Sequence, residues 1–245
     1  MRSVRQEAGQ RPASDSVEAR FAMKKIEYAI GAAGLFIYHL HQENFDRGMV
    51  ATFGNSFRID QGFTSTESYL HSALGRIGRS VTDERTRLYD SIEDTIAEFW
   101  RAGDRSRPWL LTIITDGQDN ESRTYSHQDW RSPERIGRTI AQRFNHEPSN
   151  FPFLIGVGEG NQIDRRALGA IGDHGGFPAI TIAAFPLLEM VFLRIAINVS
   201  TELIGRRIDV GNLSWEQVAQ IRRTSRIPID YAFLIDRSGS MSEPG

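Results

Sequence analysis

The chain has 245 residues, 40% hydrophobic and 24% charged, which are ordinary globular values and suit one large domain or two small ones. A net charge of −2 gives no bulk electrostatic reason to expect nucleic acid or an anionic membrane, and the absence of cysteine excludes disulfides and thiolate metal sites. Positive charge is almost all arginine; Lys24 and Lys25, the only lysines, read as a compositional habit and not as a site.

Residues 1–16 are polar, lack the apolar core of a signal peptide, and are expected to form a flexible tail. From Val17, apolar residues recur at threes and fours (Phe21, Ile26, Ile30, Ala33, Ile37, Leu40), which predicts a long helix over 17–43. "GMVATFGNSFRI" (48–59) alternates as a strand, turns at Gly54-Asn55 and returns as a second short strand. Helices are expected at 66–77 and 88–103, then a buried strand at 108–117. Ser132 as N-cap and Pro133 at the first helical position open a helix over 132–145. A buried strand (151–160), a helix (164–176), an edge-like strand (178–183) and a helix (186–204) follow. A short helix (214–224) and a terminal strand (229–235) complete the series.

The stretch 177–199 is the most apolar, but Pro178, Pro186, Glu189 and Arg194 interrupt it. It fits a strand followed by an amphipathic helix better than a membrane span, so a soluble, cytoplasmic protein is expected. Strands apolar along their whole length, alternating with helices, predict an α/β fold: a doubly wound, mostly parallel sheet with helices on both faces. Residues 17–245 read as a single domain, with 205–228 as a connection.

In such sheets ligands bind outside the carboxyl ends of the strands. One strand ends in "DRSGS" and another in "TDGQDN", while Thr86 stands just ahead of a helix in "ERTRLYDSI". Asp236, Ser238, Ser240, Thr86 and Asp116 are oxygen donors, two carboxylates and three hydroxyls, a set suited to Mg²⁺ or Mn²⁺. Neutral hydroxyl ligands leave net positive charge on the ion, which suits an incoming carboxylate.

These segments resemble the von Willebrand factor type A domain. Asp236-x-Ser238-x-Ser240 matches that family's metal-ion-dependent adhesion motif, Thr86 its second-loop threonine and Asp116 its third-loop aspartate. The chain departs from the family at Glu84-Arg85, where glycines often precede the threonine. The resemblance implies a Rossmann-like α/β fold with the metal on top and an acidic side chain of a partner completing its coordination. It also implies an unusual order. In the family the Asp-x-Ser-x-Ser strand comes first and leads into the first helix; here that strand is at 229–235 and the helix at 17–43. The sequence therefore reads as a circularly permuted domain, with 205–228 joining the last family helix to the first family strand. A fragment of a tandem array, or a strand swapped between chains, are the alternatives.

Three function classes are open. The first is a protein-binding module, a monomer with no role for nucleic acid or membrane, whose ion bridges to an Asp or Glu of a partner protein. The second is a Mg²⁺-dependent hydrolase of the haloacid-dehalogenase phosphatase kind, which needs a second aspartate two residues after the first, where this chain has Ser238. The third is a scaffold with a structural or unused metal site. Asp119 reads as a solvated loop residue rather than a supporting carboxylate, and Asp90 as a structural cap or pair. "GVGEGN" (156–161) reads as a strand-to-helix turn, not a phosphate loop. The six histidines, among them His39 and His41, read as surface or interhelix residues. Arg222, Arg223 and Arg226 read as a solvated face.

Overall fold

A computed structural model describes residues 23–41, 45–77, 85–116, 119–124, 133–144, 150–157, 180–182, 187–188, 190–192, 220 and 228–243. The elements run α1 (Lys25–Leu40), β1 (Arg47–Phe53), β2 (Phe57–Thr64), α2 (Glu67–Ile77), α3 (Leu88–Ala102), β3 (Trp109–Thr115), α4 (Pro133–Phe144), β4 (Asn150–Val157), β5 (Ile180–Ile182), β6 (Asp230–Asp236) and a 3₁₀ turn, Gly239–Ser242. The six strands form one sheet in the order β2-β1-β6-β3-β4-β5. Every neighbouring pair is parallel except the β1–β2 hairpin at one edge. The α/β class expected from the apolar strands is therefore observed.

Strand β6 is buried at all of its positions and pairs with β1 on one side and β3 on the other. Its side chains alternate between the two faces, as a period of two requires. Tyr231, Phe233 and Ile235 join α1, α2, Leu188 and Phe192 in one apolar cluster. Ala232 and Leu234 join α3 and α4 in the other. Phe36 of α1 packs edge-on against Phe233 and Tyr231, with ring centroids 5.3 and 5.8 Å apart. Each such side chain contributes on the order of 1.5–3 kcal/mol by leaving water, so β6 is central to both cores.

Polar contacts fix its register. Gly48 of β1 lies beside Tyr231, and a Cβ there would come within 2.6 Å of the Tyr231 ring. The Tyr231 hydroxyl reaches His41 Nδ1 at 2.9 Å, and His41 Nε2 meets the Ser65 carbonyl at 3.0 Å. A carbonyl only accepts, so Nε2 donates and the tyrosine hydroxyl donates to Nδ1. His41 is thus a buried bridge between the end of α1, the residues just ahead of α2 and β6, the interhelix of the two placements expected for it.

At the lower end of β6 the Asp230 carboxylate is fully buried. It accepts from Arg47 Nε at 3.0 Å and Nη2 at 2.5 Å, and from the Asp104 backbone N–H at 2.6 Å. Arg107 stands 3.6 Å away. The Ile229 N–H donates to Asp46, also buried, at 3.0 Å.

Where they fall among the described residues, the expected elements are observed with one adjustment. The second hairpin strand is longer than the sequence suggested, running to Thr64. Pro152 lies in β4 beyond its pairing with β5, which covers Ile155–Val157, so among the described residues the strand has a single neighbour there. The expected helix over 186–204 is described only at 187–188 and 190–192. The expected helices over 164–176 and 214–224 lie outside the described residues, apart from helical Gln220, as do the tail 1–16, Ser132, the turn 158–161 and Arg222, Arg223 and Arg226. Among the described residues no helix is long and apolar enough to cross a membrane.

Candidate functional site

The carboxyl ends of β1, β6 and β3 lie side by side, and the loops leaving them are tied together by backbone hydrogen bonds. Arg237 N–H donates to the Phe53 carbonyl at 2.8 Å, and Arg87 N–H to that of Gly54 at 2.9 Å. After Asp236 the chain makes a tight 3₁₀ turn, closed by Met241 N–H to the Ser238 carbonyl at 3.0 Å. Met241 is buried in the core beneath it and anchors the turn. Ser238 and Ser240 are held in place by this geometry.

Four of the five expected site residues form one hydrogen-bonded row. Asp236 is fully buried; its Oδ1 accepts from the Ser238 N–H at 2.8 Å and its Oδ2 from the Thr115 hydroxyl at 2.7 Å. Ser238 Oγ lies 3.1 Å from Ser240 Oγ, and the Ser240 hydroxyl donates to Asp116 Oδ1 at 2.8 Å. Since Ser240 has one proton and gives it to Asp116, Ser238 is the donor in the pair between them. Burial pushes the Asp236 carboxyl up to about 7; the Ser238 and Thr115 hydrogen bonds oppose this, and the charge of Asp116 adds to it. Among the described residues no cationic side chain pairs with Asp236.

Thr86 is buried on the neighbouring loop. Its N–H donates to Asn120 Oδ1 at 2.8 Å, and its carbonyl accepts from the Asn120 and Glu121 N–H groups at 3.0 and 3.2 Å. Its hydroxyl bonds to none of the other four site residues, so its backbone is what fastens the second loop to the third. Beside it is a cavity of about 230 Å³ lined by Asn55, Ser56, Arg87, Glu121 and Arg123.

Two carboxylates shape these loops from behind. Asp119 is 2% exposed, which corrects the solvated reading of its sequence position. It accepts from the Tyr89 N–H at 3.3 Å and the Ser122 hydroxyl at 2.5 Å. Burial raises its carboxyl to about 6 against those bonds. Asp90 is the structural group expected, receiving the Arg123 and Thr124 N–H groups at 2.7 and 3.1 Å and Arg87 Nε at 3.1 Å. Burial works against its charge, but these donors outweigh it and its pKa is lowered.

Sequence reasoning missed one residue entirely. Lys25, the first residue of α1, places Nζ 2.8 Å from Asp116 Oδ2 and 3.4 Å from Glu243 Oε2. Its own N–H donates to the Glu243 carbonyl at 3.0 Å, so the start of α1 meets the segment that follows β6. Burial disfavours the ammonium, but the hydrogen bond and charge of Asp116, with Glu243, prevail and its pKa is raised.

Among the described residues no group of three or more His, Cys, Asp or Glu side chains is placed to hold a metal. The row instead combines two carboxylates with hydroxyls, all hard oxygen donors. A fully buried carboxylate without a cationic partner, next to pre-positioned hydroxyls, fits a small divalent cation.

No protein-family model and no curated protein matches the chain. Among solved structures, the chain is similar to a von Willebrand factor type A protein from Catenulispora acidiphila, with a TM-score of 0.52 and 14% identity over 70% of this chain and 37% of that one. It is also similar to a conserved hypothetical protein, BatB, from Bacteroides thetaiotaomicron, with a TM-score of 0.48 and 12% identity over 72% of this chain and 92% of that one. The chain thus spans well under half of the first of these proteins. The fold is von Willebrand factor type A-like.

Proposed function

We propose that this chain is a metal-dependent protein-binding module. Asp236, Ser238, Ser240, Asp116 and Thr86 would hold Mg²⁺ or Mn²⁺ at the carboxyl ends of β6 and β3. The ion would supply a Lewis-acidic position for an aspartate or glutamate of a partner protein. The observation that carries this reading is the row Asp236–Ser238–Ser240–Asp116, linked by hydrogen bonds of 2.8–3.1 Å. The chain's own part is positional: Thr115 and the Ser238 N–H orient the Asp236 carboxylate, and Met241 fixes the turn that presents the two serines. Arg123, exposed in the adjoining cavity, suits an acidic ligand.

Binding is favoured over hydrolysis. A phosphatase of the kind weighed above needs a carboxylic acid two residues after Asp236, and Ser238 stands there. The circularly permuted order is proposed with the same reading: β6 fills the place between β1 and β3, and the carbonyl of Glu243 receives the first N–H of α1.

The experiment is Mn²⁺ titration of the full chain, followed by an anomalous difference map from a Mn²⁺-soaked crystal. One ion per chain is expected among the five residues, lost in Asp236→Ala while far-UV circular dichroism is retained. A folded wild-type chain without Mn²⁺ affinity would leave the scaffold reading in its place. A peak shared between two chains would mean that β6 is swapped.

A further inference from the structure

Lys25 poses a problem for any cation at this site. Its ammonium lies 2.8 Å from Asp116 Oδ2, at ion-pair distance from one of only two carboxylates in the donor set. The Asp116 side chain is 2% exposed and that of Lys25 18%, so water screens the pair poorly. A divalent ion coordinated by Asp116 and a lysine charge paired with the same carboxyl group repel each other.

The lysine also has an alternative acceptor. Glu243 Oε2 is 3.4 Å from Nζ, and its side chain is 66% exposed. The backbones of the two residues are joined by the Lys25 N–H to Glu243 carbonyl bond. A flexible four-carbon stem can therefore move its charge from the buried acid to the exposed one without moving α1.

We propose that Lys25 is a resident competitor for the divalent cation, neutralising Asp116 in the metal-free protein and passing to Glu243 when an ion arrives. This rests on the metal-binding reading of the site. It gives the protein two states of the same loop face. In one the ammonium holds Asp116, and the turn after β6 stays latched to α1 without metal. In the other the ion takes Asp116 and the face acquires its position for an acidic partner. The lysine lowers affinity for the ion and keeps the metal-free fold from carrying an uncompensated buried charge.

The test is Mn²⁺ titration of the full chain, read by loss of the free-ion paramagnetic resonance signal, in wild type, Lys25→Met and Lys24→Met. Methionine keeps the stem and removes the charge. Lys24 is the exposed neighbour and controls for the general field of one lysine. Lys25→Met should bind Mn²⁺ about tenfold or more tightly than wild type, within the 5–150-fold range of coupled sites. Lys24→Met should stay within about twofold, because an exposed charge is screened by salt. In EDTA, Lys25→Met should melt below wild type, and saturating Mn²⁺ should narrow the gap.

Equal affinities of wild type and Lys25→Met would overturn the proposal while leaving the metal site standing. Equal gains in Lys24→Met and Lys25→Met would also overturn it, since only a general field would then be at work. If Lys25→Met fails to fold by circular dichroism, Lys25→Gln takes its place with the same expectations. If folded wild type and both Lys25 variants all fail to bind Mn²⁺, the metal reading falls and this proposal with it.

Discussion

Asp230 and Asp236 close the two ends of one strand, and both are fully buried. They are treated in opposite ways. Asp230 meets Arg47 through two nitrogens, has Arg107 nearby, and receives a backbone N–H. Among the described residues Asp236 is held by Ser238 and the Thr115 hydroxyl and pairs with no cationic side chain, and a second acid, Asp116, is close enough to raise its pKa. The lower end is an electrostatically completed joint and the upper end an uncompleted one. A charge neutralised by the chain itself holds the fold together; a charge without such a partner is, under the proposed function, the one an ion would neutralise.

The contrast can be broken most forcefully from below. Asp230→Asn leaves two guanidinium groups competing for one amide oxygen. Both arginines retain some solvent access, so the expected loss is about 3 kcal/mol, the lower part of the range for splitting buried pairs. Urea unfolding measures it, and Mn²⁺ affinity of the folded fraction should be unchanged. A loss confined to metal binding would mean the two ends are not separate in function.

At the upper end, Mg²⁺ at about a hundred times its dissociation constant should stabilise the wild type by about 2.7 kcal/mol over the EDTA-treated protein. Differential scanning calorimetry reads this as a rise in Tm, and Asp236→Asn should abolish the rise.

In EDTA the same acid sets a pH dependence. The folded state keeps a proton on Asp236 up to about pH 7, whereas the unfolded chain releases it near the ordinary 3.8. The folded state therefore binds more protons between those values, and stability falls as pH rises through them, by at most about 1.4 kcal/mol per unit for one group. Asp119, raised to about 6, adds a slope of the same sign over the lower part of that window. Asp236→Asn should remove the slope between pH 6 and 7 and leave, below pH 6, only the share that Asp119 contributes. A wild-type stability that climbs with pH there would show that Asp236 already has a cation.

The smallest effect expected is from Thr115→Val. It removes the hydroxyl that bonds Asp236 Oδ2 and should cost about 1 kcal/mol. It should weaken Mn²⁺ binding, through loss of carboxylate orientation, far less than Asp236→Asn does.

Much of this was legible in the sequence because it is periodic or local. Short, largely apolar and β-branched runs such as Trp109–Thr115 read as buried strands, and the spacing of Asp236, Ser238 and Ser240 places three oxygens on one turn. Thr86 and Asp116 are legible as candidates because each stands at the end of an element. Lys25 is not, since its partners are 91 and 218 positions away and a lone lysine at a helix start has no pattern. The same holds for the Arg47–Asp230 joint, separated by 183 positions. Asp119 was misjudged for a different reason: a polar loop sequence signals exposure, but this loop is folded back so that its acid caps backbone N–H groups from α3 and from itself.

The place of β6 in the sheet also governs how the molecule is assembled in time. It is the last of the six strands in chain order, yet β1 and β3 have no common neighbour without it. Among the described strands, none pairs with the inner edges of both during synthesis until residues 230–236 emerge. Such edges invite pairing with other chains, and closure over so long a separation is intrinsically slow. A nascent chain of this protein should depend on chaperone protection until translation has passed Asp236.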